Sequence, residues 1–118
     1  MTTINKVLRQ VSETKPNPYD DRLLFSWINE LDGRISLEVM KRDTPVAYDF
    51  SGDRDVPLLA DGPYENIYAL YLYAMIDFLS REIAGYNNSM SFFNEMFQDY
   101  KKQYIRTNLP PSAKGFRL

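Results

Sequence analysis

The side chains in this sequence that could do chemistry are mostly carboxylates, and their spacing decides what they can do. Asp49, Ser51, Asp53 and Asp55 alternate in "DFSGDRD" as the first ligands of a calcium loop do. The position such a loop gives to glycine holds Arg54, and the position of its bidentate glutamate holds Ala60, so an acidic turn is expected rather than a metal site. Asp20 and Asp21 are adjacent, and neighbours on a helix point apart. Acids at a helix start complement its positive end, so capping is their expected role. Glu30 and Glu82 would form an acid–base pair only if two helices carried them together.

The chain has no histidine and no cysteine. That removes the commonest general base, the commonest transition-metal ligand and the best nucleophile. No glycine-rich phosphate loop, nucleophile elbow or zinc-protease signature occurs. The expectation is a non-enzyme with no catalytic residues, no cofactor and no metal.

At 118 residues, 44% hydrophobic and 25% charged, the chain falls in the range of one folded domain, 1–118. No apolar run approaches the roughly 18 residues of a membrane span. "MTTINKVLRQ" lacks the blocks of a signal peptide, so cytoplasmic synthesis and no membrane partner are expected. The net charge of −2 is uneven: Lys101, Lys102, Arg106, Lys114 and Arg117 close the sequence with no acid among them. A basic end on an acidic body fits an acidic protein surface better than sparse contact with nucleic acid.

The elements that position these groups read as helices. Ile4, Val7, Leu8 and Val11 follow helical spacing behind Thr2 or Thr3 as cap. "KPNPYDD" breaks that helix. A second helix follows, with Leu24, Trp27, Ile28, Leu31, Ile35 and Val39 on one face. Between Asp43 and Gly62 the periodicity vanishes; "PVAYDF" reads as a short strand and "SGDRD" as a turn. Loops of that length are usually functional or mobile.

After "DGP" the pattern becomes unusual. Leu72, Ile76, Leu79, Ile83, Tyr86, Met90, Phe93, Phe97, Tyr100 and Tyr104 keep heptad phase across Gly-Tyr-Asn-Asn-Ser. That phase predicts one helix from Tyr64 to Thr107, straight or kinked at Gly85. A break near Tyr86 would instead give an antiparallel bundle of three similar helices. A second stripe holds Tyr68, Tyr71, Met75, Phe78, Gly85, Ser89, Phe92 and Met96. Those eight residues are the candidate subunit interface, with Gly85 and Ser89 as a shallow notch. The fold expected is therefore all-α: a small bundle with one long helix, an irregular loop carrying a short strand or hairpin, and a helical body 1–107 followed by an extended tail, 108–118.

"KPNPYDD", "WINELDGRI", "PYENIYALYLYAMIDF", "EIAGYNNSMSFFNEMFQDYKKQYIR" and "NLPPSAKGFRL", in that order, resemble the small head–tail connector (adaptor) proteins of tailed phages and prophages. The similarity spans nearly the whole chain and is most specific in "YLYAMIDF" followed by "EIAGYNNSMSFFN". The resemblance implies a helical, non-catalytic protein of the virion head–tail junction, made in the host cytoplasm. It implies a homo-oligomeric ring on the portal protein that extends the DNA channel, lies close to the DNA within it and offers a surface to the tail-completion or stopper protein. Lys114, Phe116, Arg117 and Leu118, basic and apolar in alternation, are the candidate docking residues for the portal or another partner. The competing expectation is a small cytoplasmic helical binding module or regulator.

Overall fold

The computed structural model describes residues 1–108. Four helices carry the fold: α1 (Ile4–Thr14), α2 (Asp21–Arg34), α3 (Asn66–Leu79) and α4 (Ile83–Asn108). There is no strand among the described residues, and Thr3 opposite Pro57 is an isolated bridge. The expected tail lies outside the described residues, except Asn108, which closes α4.

The first two helices form for the reasons their sequences give. The Thr3 hydroxyl accepts from the Lys6 N–H, and Ile4, Val7, Leu8 and Val11 are buried. Asp20 caps α2 by accepting from the Arg22 N–H, and Asp21 occupies the first turn. Beyond Arg34 the helix widens into a π-helical turn, Ile35–Val39, closed by the Met40 N–H on the Ile35 carbonyl at 3.0 Å. All six residues expected on the face of this helix are buried.

The single long helix does not form. The chain reverses at Ser80–Glu82, and α4 folds back antiparallel along α3. Three aromatic pairs fix the register: Phe78 with Tyr86 at 5.5 Å, Tyr71 with Phe93 at 5.2 Å and Tyr64 with Tyr100 at 5.6 Å between centroids. Each pair is symmetric about Glu82, and successive pairs are seven residues apart on each helix. The seam joins Tyr71 and Phe78 of the second stripe to Tyr86, Phe93 and Tyr100 of the first, so the heptad phase that runs through the sequence does not mark one continuous helical face.

The turn is closed by backbone bonding. The Glu82 N–H donates to the Asp77 carbonyl at 2.8 Å and the Arg81 N–H to the Phe78 carbonyl at 3.2 Å. These are the two bonds of a Schellman cap, with Arg81 in the left-handed position at φ 61°. Glycine normally fills that position, which is why the sequence gives no stop signal at Arg81; the glycine lies four residues later, in α4. Arg81→Gly should raise unfolding stability by about 1 kcal/mol, because only the side chain makes this conformation costly. An unchanged or lower denaturant midpoint would show that the Arg81 side chain offsets its own backbone strain.

The loop from Asp43 to Gly62 forms no hairpin, because side chains of α2, the π-helical turn and α3 satisfy its backbone in place of a partner strand. The Val46 N–H donates to the Ser36 hydroxyl and the Tyr48 N–H to the Asn29 amide oxygen. The Leu59 N–H donates to Asp32 and the Ala60 N–H to the Tyr68 hydroxyl. Phe50, at the loop's far end, lies under Arg54 (3.9 Å) and Arg22 (4.5 Å) and meets the edge of Phe25. A 3-10 turn, Gly62–Tyr64 with Pro63 in it, then leads into α3. No helix of the described residues is long and apolar enough to cross a membrane.

Candidate functional site

The acidic candidates separate in space. Asp49 and Asp53 bond the backbone of their own turn, accepting from the Gly52 and Asp49 N–H groups respectively, and Asp55 accepts from Asn5. Glu30 accepts from the Tyr71 hydroxyl at 2.7 Å, whereas Glu82 is exposed at the α3–α4 turn. Among the described residues, no three acids gather closely enough to hold a metal ion.

A polar centre that the sequence reading missed lies in the core instead. Asp32 is fully buried and accepts from three donors: the Tyr68 hydroxyl at 2.5 Å, the Tyr48 hydroxyl at 2.6 Å and the Leu59 N–H at 3.1 Å. Three elements meet there, since Tyr68 belongs to α3 and Tyr48 and Leu59 to the loop. Among the described residues, no buried side-chain polar atom is left without a partner. An acid beside Leu31, four residues from Ile28 and on the buried side of α2, was the available signal.

Burial pushes the Asp32 carboxyl above the ordinary carboxylate range, against the pull of its three donors and the positive charge of Arg42. The Tyr48 and Tyr68 hydroxyls are raised by burial and by that same carboxylate. Tyr71 is pushed up to about 12 by burial and by Glu30. A carboxyl raised on folding stabilises the fold fully below its unfolded value, and that contribution is lost as pH rises through the folded value. The stability difference between wild type and Asp32→Asn in urea should therefore shift against the wild type as pH rises from about 4. A difference that is flat, or that moves in the wild type's favour, would reverse the assigned direction.

The second stripe divides. Tyr68 and Tyr71 are buried inside the chain and bonded to Asp32 and Glu30, so neither is available to a neighbouring subunit. Gly85 is no open notch either. A Cβ built there would overlap the Asp77 carboxylate of α3, which is itself paired with Lys15 at 2.7 Å. Asp77 stands alone as a charge in the most apolar run of the sequence, and that was its signal. Met75 and Ser89 are half-buried.

Exposed apolar side chains include Met1, Leu37 and Ile105, but they are densest at the α3–α4 turn. Phe78 is 54% exposed, Leu79 44% and Ile83 61%. Phe92, 55% exposed, and the half-buried Met96 line a groove of about 410 Å³ with Pro63, Tyr64 and Leu70. Lys114, Phe116, Arg117 and Leu118 lie outside the described residues.

This geometry is that of a four-helix protein with three exposed large apolar side chains, Phe78, Leu79 and Ile83, at one hairpin end. Comparison with known proteins adds no neighbour: no family model, curated protein or solved structure matches the chain.

Proposed function

We propose that the protein is a structural head–tail connector of a tailed phage or prophage, assembling as a ring on the portal, extending the DNA channel and presenting a surface for tail attachment. The sequence resemblance suggests this reading, and one observation carries it at the level of the molecule: Phe78, Leu79 and Ile83 crowd the α3–α4 turn while remaining in solvent. Large apolar groups gathered at a rigid tip are favourable only when another surface removes them from water. In this reading the interface is the tip, and excludes Tyr68 and Tyr71.

The experiment is assembly on purified portal, read by sedimentation and electron microscopy. Phe78→Ser/Ile83→Ser should keep the helical circular dichroism of the parent while reducing the portal-bound fraction at least about tenfold. Undiminished ring formation by this variant would remove the tip from the interface. A strict 1:1 complex with a non-phage protein would replace the connector by the competing reading, a small helical binding module.

A further inference from the structure

We propose that the groove between the Pro63 turn and α4 seats this chain's own segment 114–118, with Phe116 and Leu118 on the apolar floor and Lys114 and Arg117 against the acidic rim. The groove has two chemistries on one helix face. Phe92 and Met96 supply the apolar part from α4, facing Tyr64 and Leu70, while Glu95 and Asp99 stand at its edge. Positions 92, 95, 96 and 99 fall at i, i+3, i+4 and i+7, so all four project to one side. Both carboxylates are exposed, and among the described residues no cation lies within ion-pair distance of either.

The segment that follows α4 is the complement of that face. "AKGFRL" alternates Lys114, Phe116, Arg117 and Leu118, so two cations flank one aromatic ring. The reach is sufficient. Asn108 ends α4, and Met96 lies about 18 Å back along the axis at 1.5 Å per residue. Eight residues from Asn108 to Phe116 span up to roughly 26 Å when extended, which exceeds that distance, and Pro110 and Pro111 disfavour continuation of a helix. Tethering also supplies an effective concentration in the millimolar range, so a contact that would be weak between separate molecules suffices within one chain. A neighbouring groove, lined by Met40, Tyr100 and Tyr104, shares Pro63 and Tyr64 but has Asp61 as its one acid, and it matches two cations less well.

The absence of native cysteine allows a direct test on the full chain. Ala113→Cys carries a nitroxide, and the methionine methyls are labelled for NMR. The expected result is loss of most of the Met96 methyl signal, recovered when the nitroxide is reduced. Glu95→Lys/Asp99→Lys should restore that signal in the oxidised state. Adding Lys114→Glu/Arg117→Glu to the same chain should quench it again, because the charges are exchanged rather than removed. Four outcomes overturn the proposal: an unaffected Met96, quenching at Met40 instead, quenching that persists in Glu95→Lys/Asp99→Lys, or quenching that appears only between separately labelled chains in a mixed sample. The last would assign the groove to a neighbouring copy's segment.

Discussion

Asp32→Ala should lower the unfolding free energy by about 3–5 kcal/mol, a large share of the 5–15 kcal/mol typical of a domain. The substitution deprives three donors of their acceptor at once. The fully buried Tyr68 hydroxyl has no water to turn to and stands to lose roughly 1–3 kcal/mol, and the half-buried Leu59 N–H loses part of that. The half-buried Tyr48 can recover a bond to solvent and should contribute least. Tyr48→Phe therefore serves as the mild control, with an expected loss near 1 kcal/mol. Because Tyr48 and Leu59 are loop residues, hydrogen exchange should show the loss concentrated at Tyr48, Leu59 and Ala60 rather than spread through α1. A loss below about 1 kcal/mol for Asp32→Ala would mean that the three donors find other partners and that the loop is held by packing alone.

The same carboxylate explains why part of the fold was legible in the sequence and part was not. Apolar periodicity located α1 and the inner face of α2 down to single residues, since Ile4, Val11, Leu24, Ile28, Leu31 and Ile35 are each placed by local spacing against one core. The loop was opaque because its backbone partners are side chains distant in sequence: Asp32 reaches Leu59, and Tyr68 reaches Ala60. "PVAYDF" has strand composition, but Asn29 and Ser36 take its N–H groups before any strand can.

Continuity of α3 with α4 was misread for a different reason. A heptad stripe records that a helix has a mate, and it says nothing of whether the mate is another chain or the same chain returning. Once α4 returns, Tyr71 packs on its Phe93, and Leu72 and Ile76 are buried in the core. Of the two stripes, the large apolar side chains still exposed are then Phe78, Leu79 and Ile83 near the turn, and Phe92. The stop itself carried no signal because arginine, rather than glycine, adopts φ 61° at the cap.

The glycine that looked like an intersubunit notch is instead the condition for an intramolecular ion pair, and its replacement should show this through a change of sign. In the wild-type background Gly85→Ala should destabilise by about 1–3 kcal/mol, because the new methyl occupies the space of the Asp77 carboxylate. That carboxylate cannot retreat freely: its side chain is almost fully enclosed, Lys15 holds it at 2.7 Å, and displacement would leave a charge unpaired in the interior. The first turn of α4, where it sits, also favours a negative charge. Gly85→Leu should cost more than Gly85→Ala, since the larger side chain adds volume to the same clash. Asp77→Ala alone breaks the pair but leaves Lys15, one-third exposed, free to turn towards water. In that background the methyl has room, and Gly85→Ala should now stabilise by roughly 0.5–1 kcal/mol through helix propensity alone. The measurement is a double-mutant cycle in urea, with the coupling between positions 77 and 85 as its readout. Equal effects of Gly85→Ala in both backgrounds would show that Asp77 does not depend on the missing side chain, and the notch would again be open to a neighbouring subunit.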